Sequence, residues 1–257
     1  MIHPTAIIHP GAQLHESVRV GPYSVIDEHV TVGAGCELAP HVHLTGHTTI
    51  GAENRFHTGC VIGDAPQDLK YGGEPTRLII GDRNLFREHV TVHRSNTPDE
   101  DTRIGAENFF MANSHVGHNS IIGNKAVLAN GVLIAGHAMI GDGAFLAGNA
   151  VVHQFCRVGA MAMMQGCAGV SLDLPPFTVV RGINGMCGLN SIGLKRAGFS
   201  TGERLELKKA YHTIFLSCDL MRDALEKARA EFTGVLAEQL IDFVAASQRG
   251  TCSHTKS

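Results

Sequence analysis

Five histidines in the middle of the chain have the type and spacing to do chemistry. His93, His118, His137 and His153 recur along the chain, and His115 stands just before His118. An imidazole titrates near neutrality, so one of them could take a proton from a hydroxyl group as a general base. Three of them could instead hold a zinc ion. Upstream lies a polar stretch, Asp64 to Ile79, which carries Gln67, Asp68, Lys70, Tyr71, Glu74 and Arg77. Whether these groups meet depends on the elements that carry them.

Those elements are set by a repeat. Stepping by six from Ile2 meets an apolar residue every time through Ile62. The register resumes at Ile80, Phe86 and Val92, and again from Ile104 to Val170. The following position is often Gly, as at Gly21, Gly33, Gly81, Gly105, Gly117 and Gly141. A six-residue unit makes one short strand and one tight turn, and three units close a triangular coil. About nine coils, at a strand spacing of about 4.8 Å, give a prism roughly 40 Å tall. Known hexapeptide solenoids of this kind wind left-handed. The expected fold is mainly β: a left-handed parallel β-helix of hexapeptide repeats with a C-terminal α-helical domain. The composition fits, with 30 Gly, no Trp and aromatics at 5%. A thin core of Val, Ile, Leu and Met leaves no room for large rings.

The breaks in the register are insertions of whole hexads, at 64–79 and 95–103, so the phase survives them. If the sides are labelled A, B and C from Phe56, then Ile62, Val92, Val116, Ile134 and Val152 all begin side B. His93, His118, His137 and His153 then form a column on side B in successive coils, and both insertions leave from the same side. Other histidines, such as His9, His29, His41, His43, His47 and His57, occupy positions where an outward imidazole costs nothing.

The hexads stop after Pro175-Pro176. Domain 1–189 is therefore expected to be the β-helix and 190–257 a helical domain that caps it. Ser200 to Glu203 reads as a capping box. Leu207, Ala210, Tyr211, Ile214, Phe215 and Cys218 follow at helical spacing. Residues 251–257 read as a frayed tail. The helical part carries ten Lys/Arg against eight Asp/Glu, and the β-helix eleven against sixteen. An overall formal charge of −3 does not suggest a nucleic-acid partner. No apolar run of about 18 residues suggests a membrane span. No basic region followed by an apolar stretch marks a secretory signal. With seven unpatterned Cys, this points to reduced thiols and a cytoplasmic location.

The stretch Gly63-Asp64-Ala65-Pro66-Gln67-Asp68-Leu69-Lys70-Tyr71-Gly72-Gly73-Glu74-Pro75-Thr76-Arg77 resembles the signature loop of UDP-N-acetylglucosamine O-acyltransferases. Val90 to Arg94, Asn113 to His118, Leu133 to His137, Val152 to Phe155 and Gly188 to Phe199 match the same family. The resemblance covers nearly the whole chain. It implies acyl transfer from acyl carrier protein to the sugar 3-hydroxyl, the first step of lipid A synthesis. Neither a cofactor nor a metal is implied. His118 would be the general base and the Gly136 N–H an oxyanion donor. Asp68, Lys70, His115, His137 and Gln154 would position the sugar and acyl groups, and Gln67 and His93 would also bind substrate. His153, Asn190 and Arg196 would contact the nucleotide. The implied assembly is a homotrimer with sites between neighbouring prisms.

The chain departs from the family's pattern at three places. Asn119 follows His118 where Asp is common, Ile192 replaces a Glu, and Ser95-Asn96 replaces Gly-Thr. An Asn carbonyl can orient the His118 ring but does not stabilise imidazolium as a carboxylate does. Gly166, with Met163, Met164 and Gln165, would line the acyl groove. Three alternatives stay open: an acceptor bearing a 3-amino group, a zinc-dependent hydratase, and a non-catalytic paralogue. The gamma-class carbonic anhydrases bind zinc on this kind of solenoid with ligand pairs four or five apart, whereas His115 and His118 are three apart.

Overall fold

In a computed structural model, residues 1–217 and 219–255 are described. The first residue of each hexad points inward, and these side chains stack into one aliphatic column. Val92, Val116, Ile134 and Val152 are all fully buried within it. Burying a Val, Leu or Ile contributes about 1.5–3 kcal/mol, so the column supplies much of the stability. The fourth residue of each hexad makes the turn. Glu53, Arg83, Glu107, Asn119, His137 and Phe155 all take the left-handed conformation, with φ from 57° to 63° for all but Arg83 at 55°. At the corners the coils approach closely. A Cβ on Gly81 would lie 2.7 Å from the Gly105 carbonyl oxygen, which explains the Gly after the inward residue.

Among the described residues, the strands form sheets of nine, eight and eleven strands, one per side of a left-handed parallel β-helix, and every pairing is parallel except that of Thr178–Arg181 with Gly185–Leu189, which is antiparallel. Side B is the nine-stranded sheet, from Ile7–Ile8 to Gly169–Val170. The coil interior also carries ladders. The Phe56, Phe86 and Phe110 rings stack at 4.8 and 4.6 Å. Asn84 and Asn108 each donate an amide N–H to the Asn one coil below, at 2.9 Å.

The insertions are shorter than the hexad count suggests. Arg77–Ile80 pairs residue for residue with Asp101–Ile104 and with His47–Ile50. The side C strands therefore extend back into both insertions, because backbone pairing continues ahead of the inward residue. The loops proper span 65–76 and 94–100.

Four helices follow among the described residues: α1 (Ser191–Arg196), α2 (Thr201–Phe215), α3 (Met221–Glu231) and α4 (Val235–Ala245). The expected capping box holds: Ser200 Oγ accepts from Glu203 N–H, and the Glu203 carboxylate accepts from Ser200 N–H. Cys218, expected on the apolar face of α2, lies outside the described residues. Leu194, Leu207, Ile214, Leu240 and Val244 join the same core as the coils. Asp173, 2% exposed, fixes the junction. It accepts from the Arg157 backbone and guanidinium and from Ser247 Oγ, while Arg157 also stacks on Phe243 at 4.3 Å. The expected frayed tail is instead built in. Ser253–His254 pairs with Gly185–Met186, and Cys252 is buried beneath it. Lys256 and Ser257 lie outside the described residues. No helix among the described residues is long and apolar enough to cross a membrane.

Candidate active site

The register brings the histidines into successive coils. Val92 pairs with Val116, Val116 with Ile134, and Ile134 with Val152. His93 meets His115 edge to face at 4.7 Å, and His118 meets His137 edge to face at 5.2 Å. His137 stacks on Phe155 at 4.6 Å. His153 and Gln154 are exposed one coil further on and do not join this cluster. No three His, Cys, Asp or Glu side chains among the described residues converge on a point where a metal could sit. The edge-to-face rings therefore lend no support to a zinc site.

Burial sets the charge state of the column. It pushes His115 down to about 4, and neighbouring His93 and His118 act in the same direction. His93 is lowered first by burial, as is His137, with the charge of His118 adding to both. These rings are neutral near pH 7 and can donate or accept hydrogen bonds without repelling one another. His115 Nδ1 already pairs with Thr91 Oγ1 at 2.7 Å. His93, 7% exposed, has a buried Nδ1 with no protein partner. That unsatisfied atom is a natural contact for a polar ligand.

The long loop folds over the column. Arg94 Nη1 donates to the Gly63 carbonyl at 2.8 Å, and Nη2 to Tyr71 Oη at 3.2 Å. Asn96 Nδ2 donates to Asp68 Oδ2 at 2.7 Å. The Lys70 backbone N–H and the Asn96 amide hold the half-buried Asp68 carboxyl below its usual range. Asp68 is close enough to His118 and His137 for its charge to act on both. Gln67 and Lys70 are exposed on the loop, and Lys70 holds no ion pair among the described residues.

The hydrogen bonds around Asn119 define the tautomer of His118. Asn96 N–H, an obligate donor, reaches Asn119 Oδ1 at 3.0 Å. Asn119 Nδ2 donates to Glu100 Oε2 at 2.7 Å and to Ser95 Oγ at 2.9 Å. The oxygen must therefore face His118 Nδ1, 2.9 Å away, and accept its N–H. This leaves the Nε2 lone pair free to take a proton. Gly136 occupies the equivalent position one coil on. A Cβ there would lie 2.7 Å from His118 Nε2 and Cε1, so only Gly leaves the His118 ring in place. The backbone bonds run from Ala135 N–H to Val152 O and from His137 N–H to His118 O. The Gly136 N–H between them has no acceptor among the described residues and belongs to a residue packed against the His118 ring.

Asn190 and Arg196 lie elsewhere. They line a groove of about 760 Å³ on the eleven-stranded side, with Phe145, Met163, Gln165 and Ile192. Asn190 also caps α1, accepting from Gly193 N–H and donating to the Met161 carbonyl. Ile192 puts an apolar side chain, 68% exposed, at the mouth of this groove. The expectation that Met164 narrows an acyl groove near Gly166 is corrected: Met164 is an inward residue of its hexad and is fully buried. Gly166 is exposed beyond the groove lining. Within one chain, then, Asn190 and Arg196 lie on a different side of the prism from the histidine cluster.

Residues 173–252 match the family model described as "Udp N-acetylglucosamine O-acyltransferase; Domain 2", and residues 101–136 match "Bacterial transferase hexapeptide (six repeats)". An acyl-[acyl-carrier-protein]–UDP-N-acetylglucosamine O-acyltransferase of Janthinobacterium sp. (strain Marseille) is 46% identical, over 97% of this chain and 98% of that protein. The chain belongs to the UDP-N-acetylglucosamine O-acyltransferase family. A protein of the same name from Anaeromyxobacter sp. (strain Fw109-5) is 43% identical over 97% of this chain and 98% of its own length. The solved Francisella novicida UDP-N-acetylglucosamine acyltransferase superposes with a TM-score of 0.94 at 35% identity, covering 100% of this chain and 95% of that one. The Moraxella catarrhalis UDP-N-acetylglucosamine O-acyltransferase gives 0.93 at 38% identity, covering 98% and 99%.

Several residues of this acyltransferase site escape sequence reasoning. Thr91, Ser95, Asn96 and Glu100 all hold other site residues, and Arg94 latches the loop. Arg94, Ser95 and Asn96 could be found as the residues directly after a motif histidine. Glu100 offers no periodic signal, because it sits in an insertion outside the hexads.

Proposed function

We propose that this acyltransferase moves a 3-hydroxyacyl chain from acyl carrier protein to the 3-hydroxyl of UDP-N-acetylglucosamine, the first step of lipid A synthesis, with His118 as the base. The free Nε2 of His118, held by Asn119 and set against the Gly136 N–H, carries the reading. Nε2 takes the proton of the sugar hydroxyl as its oxygen bonds to the thioester carbonyl carbon. The carbonyl oxygen becomes an oxyanion, and the Gly136 N–H is free to donate to it. The intermediate collapses by breaking the C–S bond, and the imidazolium returns the proton to the departing thiolate. Asp68, Lys70, His93, His115 and His137 surround the sugar, with Gln67 and Gln154 at the rim. Asn190 and Arg196, with His153, take the nucleotide.

Because these groups lie on two sides of one prism, a complete site needs a second copy of the chain. A closed homotrimer supplies three such clefts. The test compares acyl transfer to UDP-N-acetylglucosamine with transfer to its 3-amino counterpart. The reading expects the hydroxyl acceptor to win; preference for the amine would overturn the acceptor assignment. Separately inactive His118→Ala and Arg196→Ala chains, refolded together, should regain activity. No recovery would contradict a shared site.

A further inference from the structure

We propose that Glu100 is a positioning residue for the base. It supplies, through the Asn119 amide, the negative charge that a neutral Asn cannot place beside His118. This rests on the reading of His118 as the base. The imidazolium formed in the reaction is favoured by a nearby anion. The group touching His118 Nδ1 is uncharged, but the next group along is a carboxylate. Two hydrogen bonds link them: Nδ1 to Asn119 Oδ1 at 2.9 Å, and Asn119 Nδ2 to Glu100 Oε2 at 2.7 Å. The second is charge-assisted and polarises the amide so that Oδ1 becomes a stronger acceptor.

Asn119 suits this relay for three reasons. It is 6% exposed, so the relay is shielded from water on its inner side. Its left-handed backbone, φ 58°, is one that Asn tolerates well. Every polar atom of its amide is used, and Thr102 Oγ1 accepts its backbone N–H at 2.8 Å. The same carboxylate oxygen lies 3.6 Å from His137 Nδ1, so Glu100 reaches His137 directly and His118 through Asn119. The remaining charged or titratable groups that act on His118 are Asp68 from the long loop and His93, His115 and His137 from the coil. The substitutions below leave all of them in place.

The test uses the charge's position rather than its removal alone. Glu100→Gln keeps an oxygen that accepts from Asn119 Nδ2 but removes the charge. Its kcat should fall about tenfold, the increment between a charge-assisted and a neutral hydrogen bond, and the acid limb of the kcat profile should move to lower pH. The KM for the sugar should stay within about twofold; a raised KM with unchanged kcat would mean that Glu100 serves His137 alone, which overturns the proposal. Asn119→Asp sets two carboxylates against each other and should lose at least as much. When Glu100→Gln and Asn119→Asp are combined, the amide and the carboxylate exchange places. The new amide can donate to the new carboxylate, which holds the charge directly against His118 Nδ1. The kcat of this double variant should return to within about threefold of the parent.

Wild-type kcat and pH profile in Glu100→Gln, or a double variant no better than either single one, would refute the relay. His118→Ala, assayed alongside, separates the failures. If it is dead while Glu100→Gln is unaffected, the relay alone is wrong. If it is active, the base assignment falls and the relay with it.

Discussion

Replacing Gly136 by Ala adds one methyl group at the point where it matters most. Its carbon would lie 2.7 Å from both Nε2 and Cε1 of His118. Carbon contacts settle near 3.5–4.0 Å, so the ring must retreat by about 1 Å. The ring is not free to do so, because Nδ1 is tied to Asn119 Oδ1 at 2.9 Å. Either the tether breaks or the base sits out of line. A misplacement of about 1 Å costs roughly 10²-fold, or about 2.7 kcal/mol of transition-state stabilisation. The backbone N–H of residue 136 survives the substitution, so the loss reports the position of the base rather than a missing oxyanion donor. Gly136 is not held at a positive φ, so Ala should fold there with little change in Tm. Steady-state transfer kinetics and thermal melting on the same preparation measure both. Wild-type kcat in Gly136→Ala would show that the coil geometry does not set the position of His118.

Two further outcomes follow from the same structure. His115 binds a proton at about 4 when folded and near the ordinary value of 6.5 when unfolded. The unfolded chain therefore binds more protons across that window. The contribution of His115 is fully present above about pH 6.5 and is lost as the pH falls towards 4, by about 3 kcal/mol. Denaturant melts from pH 7 to 4 should show this slope, and His115→Gln should flatten it; an unchanged slope would mean that the imidazole is not desolvated. Arg94→Ala removes the hydrogen bond to Tyr71 Oη that latches the long loop to the coil, together with the bond to the Gly63 carbonyl that anchors the guanidinium on its strand. The KM for the nucleotide sugar should rise about tenfold with a smaller change in kcat, and an unchanged KM would show that the loop holds its place without the latch.

The sequence carries the coil well because each hexad repeats the same physical demand. An apolar residue every sixth position must be buried, so the phase survives both insertions and the side B column can be placed by counting. His93, His115, His118 and His137 meet because of that phase. The capping box at Ser200 is equally local, made by residues three apart. What stays hidden depends on groups outside the period. Glu100 and Asn96 reach the column only because their loop folds back over it. Residues 251–255 read as a tail because no local pattern reveals an edge strand waiting at Gly185–Leu189. The separation of Asn190 and Arg196 from the histidines is implicit in the side count, since they follow the end of the hexads. Met164 shows the count prevailing over the groove expectation: its place in the register already buries it.

Everything proposed for this site depends on His118 Nε2 taking the acceptor's proton. The direct measurement is kcat for acyl transfer from hydroxyacyl carrier protein to UDP-N-acetylglucosamine by His118→Ala, with Tm checked on the same sample. A general base contributes about 10²–10⁴-fold. The kcat of His118→Ala should fall in that range with an unchanged Tm; a folded variant that keeps most of its turnover would show that another group takes the proton.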